Sequence, residues 1–239
     1  MKEFLLNHYA FLIKLVELTA AIAGILVYKK FKHTVLKYFI WFLVYVFFVE
    51  LIGGYTVYVY KYEALDHIEA ALKGTLIERN YWWYSVFWTI GAPLFYATYF
   101  MTVIKTKVFK KILGWLRLVF FVTSISYILF NLDAYFISTL KFNNISATFV
   151  ILVSVVLYLI ETLNSDRMLI FYKSANFYIA AINFIWFLVI TPIVFYSHYF
   201  SKADWNFVFL KWEIYLTMNF FMYISFTFVL LCCKPQHLK

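Results

Sequence analysis

Charge is what this chain has least of. Only 14% of its 239 residues are charged, while 65% are hydrophobic. A soluble domain carries about 25% charged and 45–50% apolar residues, because its surface has to hold water. This inventory cannot build such a surface, so a water-soluble globular fold is excluded. Glycine is scarce too, with six in all, and no internal repeat, low-complexity run or linker interrupts the chain. Transporters assembled from two related halves announce themselves by such repeats, and their lack counts against that architecture. The two cysteines, Cys232 and Cys233, are neighbours. A bridge between adjacent residues is strained, so there is no disulfide framework. At the end of the last helix they read as buried or interfacial thiols rather than as acylation sites.

What is present is long apolar runs. A helix needs about 20 such residues to cross ~30 Å of hydrocarbon. Seven segments qualify: Phe4–Val27, Leu36–Tyr60, Tyr81–Ile104, Ile112–Leu132, Asn143–Leu163, Ala175–Tyr196 and Phe207–Cys233. Their length, and the lack of ~10-residue alternating stretches, favours helices over a β-barrel. The fold expected is therefore all-α, a single polytopic seven-transmembrane-helix bundle. Lys14 and Glu17 interrupt the first run and Glu3 weakens its basic start, so it reads as a retained helix and not as a cleaved leader.

The formal charge of +9 does not point to nucleic acid, because the basic residues sit in short runs between spans. There they set orientation. Lys29, Lys30, Lys32 and Lys37 join spans one and two. Lys105, Lys107, Lys110 and Lys111 join three and four, with Arg117 just beyond. Asp166, Arg167 and Lys173 join five and six, and Lys234 and Lys239 lie in the tail. The alternate loops carry Glu63, Asp66, Glu69 and Glu78 against Lys61, Lys73 and Arg79, then Asp133 with Lys141, then Lys202 with Asp204. The positive-inside rule places the lysine-rich side in the cytoplasm, the N-terminus outside and the C-terminus inside. Localisation in a plasma (inner) membrane as a multi-pass protein follows. Abundant Phe, Tyr, Ile, Asn and Lys suits an AT-rich, bacterial genome. In the longest loop, Leu65, Ile68, Leu72 and Leu76 form one helical stripe, expected to lie on the outer membrane surface.

Charges inside the bilayer are the best lead to function. Lys14 and Glu17, three apart, share a helix face. Lys14 is ten residues from Phe4 and Glu50 ten from Tyr60, which puts both about 15 Å deep. An ionised group there costs about 2.5–3.5 kcal/mol and needs a partner. Glu17, Lys14 and Glu50 thus form a candidate cluster, either a proton- or ligand-responsive site or a structural ion pair. Glu50 precedes Gly53-Gly54, which admits a close neighbour or a bend. Asn183 and Asn219, with Asn176 seven residues before Asn183, are expected to bond between helices. Thr89 with Pro93, and Thr191-Pro192, mark kinks. His8, His67 and His198, with Glu63 a turn before His67, are weak zinc candidates. They lack HxxxH or HExxH spacing and come from separate segments, so solvated side chains are the better account and no metal or other cofactor is expected. Asn144-Ile-Ser146 matches a glycosylation sequon, and Trp82-Trp83 and Trp205 suit interfacial belts.

Two seven-helix families are set aside. Retinal binding needs a lysine midway along the last helix, where Asn219 stands and Lys211 does not. The tryptophan-rich core motifs of nicotinamide-riboside-type transporters are missing. Three strings carry a resemblance: Leu15-Val16-Glu17 with Ala20–Gly24, Phe48-Val49-Glu50 with Gly53 and Tyr55, and Met218–Tyr223. On these the chain resembles uncharacterised seven-helix proteins frequent in Bacteroidota, which implies the helix layout and no activity. The expected function is a non-enzymatic sensor or accessory subunit that binds a small ligand, a lipid or a membrane-protein partner, with membrane lipids around it and no nucleic acid. The alternative is a solute or ion transporter or channel using the Glu/Lys cluster. A third reading is a lipid-modifying enzyme with the outer-face histidines, for which no nucleophile–base pair is recognisable.

Overall fold

The computed structural model describes residues 2–165, 171–196 and 205–235, with side chains from His8 onward and excluding Tyr196. Asp166, Arg167, His198, Lys202, Asp204 and Lys239 lie outside the described residues. Among the described residues the chain is helical and has no strand. Its helices are α1 (Lys2–Phe31), α2 (Leu36–Gly53), α3 (Tyr55–Lys61), α4 (Asp66–Leu72), α5 (Tyr81–Tyr84), α6 (Gly91–Val103), α7 (Lys107–Phe130), α8 (Leu132–Ile137), α9 (Lys141–Leu163), α10 (Ala175–Tyr196) and α11 (Trp205–Cys232). A π-helical turn, Ser85–Ile90, joins α5 to α6. Seven stretches among the described residues are long and apolar enough to cross a membrane, the second made of α2 with α3 and the third of α5, the π-turn and α6. Large apolar side chains such as Leu26, Phe130, Leu188 and Phe228 are exposed. A surface of this kind is compatible with lipid, which is as apolar as these side chains.

Several boundaries differ from the sequence expectation. The fourth span begins at Lys107, so Lys107, Lys110 and Lys111 belong to the helix and not to a loop. Lysine favours helix, and its long stem carries the charge to the interface, so leaving the hydrocarbon need not end the helix. The residues after α7 form α8, where a plain loop was expected. The loop stripe is cut short: α4 ends at Leu72, and Gly74 follows at φ +77°, which glycine alone adopts readily. Leu76 therefore leaves the stripe and is exposed. Pro192, where a kink was expected, lies inside the continuous helix α10.

The chain divides into two compact units. The first holds Met1–Val44, Thr102–Ile104 and Val155–Lys239. Here α1 packs along α11, and α10 along α11. Tyr9 stacks near Trp212, at the starts of α1 and α11, while Lys30 reaches Leu231 at their ends. The two helices therefore run parallel. Ala20, Ala23 and Gly24 give α1 a small, buried face. A β-carbon on Gly24 would stand 3.0 Å from Ile40 Cγ2, so the neighbouring helix approaches the bare backbone. Phe39 meets Phe226 edge-on at 4.9 Å between ring centres, a favourable aromatic geometry.

The second unit holds Tyr45–Met101 and Lys105–Ser154. Its core gathers Ile90, Ala97, Phe120, Ile128, Tyr135, Leu140, Ala147 and Val150. The short α8 packs against α5, and the Tyr135 phenol donates to the Trp82 carbonyl at 3.1 Å. Arg117 on α7 donates to Thr98 Oγ1 on α6 at 3.0 Å.

Candidate functional site

Irregular backbone concentrates in the second unit, where two breaks face each other. The first is the end of α2. Gly54 N–H still reaches Glu50 O, but Val57 N–H turns to Gly54 O, three residues back. The Gly53 carbonyl, which Val57 would take in a regular α-turn, instead accepts from Asn80 Nδ2 at 2.7 Å. The same amide reaches Thr56 Oγ1 at 3.2 Å. One side chain thus repairs the break, as buried backbone requires.

The second break is the π-turn. Gly91 N–H goes to Val86 O, five residues back, and to Trp88 O. The Phe87 carbonyl, its partner in an α-turn, accepts the Tyr45 phenol from α2. The cause is local. Pro93 has no N–H to offer the Thr89 carbonyl and its ring crowds that turn. Gly91 lacks a β-carbon, which would stand 2.7 Å from Tyr45 Oη. Thr89 with Pro93 was the sequence signal for a kink; the chain answers it by widening a turn. Such turns recur at functional sites.

Between the breaks lies Glu50. It is half-buried on α2, and its Oε2 accepts from the Tyr84 phenol at 2.9 Å. Trp83 Nε1 donates to the Val49 carbonyl at 2.9 Å, pinning the same stretch. Gly53 makes this approach feasible: a β-carbon there would lie 2.8 Å from Trp83 Cδ1 and from Tyr84 Cζ. A carboxylate, a phenol, an indole N–H and a displaced carbonyl therefore share one patch of an apolar span. Chemically it can hold or exchange a proton and accept a polar ligand group.

The other expected residues are distributed as follows. Lys14, half-buried, and Glu17, buried, sit on α1 in the first unit; Glu50 belongs to the second. Asn219 is interhelical, its Oδ1 accepting from Trp186 Nε1 on α10 at 3.0 Å. Asn183, fully buried, donates to Ile179 O at 2.7 Å within its own helix, so that bond is not the interhelical link expected. His8 and His67 are exposed and lie in different units. Among the described residues no three His, Cys, Asp or Glu side chains gather as a metal would need. Sequence reading missed Tyr84, Tyr45 and Asn80, and also Glu161, buried on α9. Glu161 carried a legible signal, an acid near the end of an apolar run. The tyrosines carried none among the chain's 21. No family model, no curated protein and no solved structure matches this chain.

Proposed function

We propose that this chain is a non-enzymatic integral membrane sensor or accessory subunit whose responsive element is the Glu50–Tyr84 pair. The observation that carries the reading is the hydrogen bond that the Tyr84 phenol donates to the Glu50 carboxylate at 2.9 Å, set between a helix break and a π-turn. A carboxyl group inside an apolar helix needs polar partners and the Tyr84 phenol is one, so a bound polar group or a change in proton supply competes with that contact. Each state then holds α2 differently against Tyr84 and Trp83. The element is built to switch, and output passes to a membrane-protein partner, because the loops of this chain are too short to carry an effector domain.

Hydrogen exchange of residues 80–91 in reconstituted protein, followed from pH 5 to 8, tests this. Exchange is expected to change with pH in the native chain and to be flat in Glu50→Gln. Identical profiles in both would overturn the proposal. A second reading, a solute or ion carrier, is favoured by the break at Gly53-Gly54, since discontinuous helices form transport sites. Proton-coupled flux in proteoliposomes that vanishes in Glu50→Gln would put the carrier in the sensor's place.

A further inference from the structure

At one end of the first unit, the start of α10 and the end of α11 enclose a cleft of about 590 Å³. That lies within the ~300–1,000 Å³ typical of ligand sites. Phe228 and Val229 line its apolar part, Tyr172 and Tyr178 its side, and Lys173 and Lys234 its polar part beside the two thiols. Two contacts tie part of the lining together. Tyr178 donates to the Tyr172 carbonyl at 3.0 Å, and Lys173 Nζ stands 5.4 Å from the Tyr172 ring centre. Lys30 adds a third cation close by, donating to Leu231 O at 3.1 Å and Leu230 O at 3.4 Å. No carboxylate is among the described residues that line the cleft.

We infer that this cleft binds an anionic phospholipid, its phosphate against Lys173 and Lys234 and its upper acyl chain along Phe228 and Val229. Position supports the assignment. The two spans that form the cleft are Ala175–Phe195 and Trp205–Cys232, so the lysines flank their ends at headgroup level, with the phenylalanine a turn deeper. Basic pockets between membrane helices at that level take anionic headgroups, and a zwitterionic lipid lacks the net charge to gain from them. The combination of two lysines with an apolar strip also discriminates a lipid from a free anion. Inorganic phosphate meets the charges but not Phe228. This site is separate from the Glu50 element and stands or falls without it.

The test is thermal unfolding of the full chain in mild detergent, titrated with phosphatidylglycerol, phosphatidylcholine or inorganic phosphate. Phosphatidylglycerol is expected to raise the midpoint saturably, with the other two ineffective. Lys173→Gln with Lys234→Gln should weaken that response about 30-fold, the factor two headgroup-level lysines carry. Lys105→Gln with Lys107→Gln should leave it unchanged. An independent readout on the native chain is alkylation of Cys232 and Cys233, which phosphatidylglycerol should slow and phosphatidylcholine should not. Equal responses to the two lipids, an equal loss in both lysine pairs, or a phosphate effect matching the lipid's would each overturn the inference.

Discussion

Glu50 sits in an apolar helix and its carboxylate accepts from the Tyr84 phenol, a contact that sets what substitution of that tyrosine should do. Interhelical hydrogen bonds in membranes are worth about 0.6 kcal/mol on average and up to ~1.7. Tyr84→Phe is expected to cost an amount in that range by thermal unfolding in detergent, since the ring and its packing remain. Gly53→Ala should cost more, because one methyl group would have to displace both Trp83 and Tyr84. Overpacking of this kind costs about 1–3 kcal/mol. If Gly53→Ala is neutral, the close approach of the two rings is wrong. At the other end of the chain, burial and the neighbouring Cys232 push the Cys233 thiol up, against a smaller opposite pull from Lys30. Its thiolate fraction at neutral pH is therefore low. Single-cysteine chains should show Cys233 alkylating more slowly than a solvated thiol at pH 7.5, and catching up as pH rises. At this scale the sequence was partly legible. A carboxylate in an apolar run stands out, whereas the phenol that meets it is one of many and is chosen only by three-dimensional placement.

Among the elements, the π-turn is the most informative. Pro93 removes the donor that a regular turn would use, and Tyr45 takes up the carbonyl left by Gly91. Pro93→Ala restores that donor, and proline costs up to ~3 kcal/mol against alanine in a helix interior. The substitution should raise the unfolding temperature while flattening the pH response of residues 80–91. A gain in stability with the response intact would separate the turn from the switch. The turn itself was not readable from the sequence: Thr89 and Pro93 announce an irregularity, but kink, break and widened turn share that signature. Helix ends were equally blurred. α7 starts at Lys107 because lysine tolerates both helix and interface, so hydropathy marks where lipid ends and not where the helix does.

For the whole molecule, hydropathy sufficed to find the seven helices that, among the described residues, are long and apolar enough to cross a membrane, because apolar length is the quantity a bilayer selects. The parallel course of α1 and α11 is consistent with that odd number. Lysine distribution further predicts the side on which the tail emerges. Cys232 is exposed, so a membrane-impermeant maleimide should label it only after cells are opened. Labelling of intact cells would overturn that expected orientation. The division into two units was not legible, since nothing in the sequence of α2 or α9 marks residues 44–45 or 154–155 as a boundary.

A turn closed five residues back houses one more residue than an ordinary turn needs for the same advance along the axis. The segment Ser85–Ile90 therefore carries a spare amino acid, and Val86, exposed among them, is the natural one to remove. Excising it would let that turn close four residues back with both flanking halves kept in phase, leaving the missing donor of Pro93 as the remaining irregularity. The same excision elsewhere in an apolar span would rotate everything beyond it by about 100°, so this protein can be shortened by one residue here at a cost it could not bear in α7 or α11.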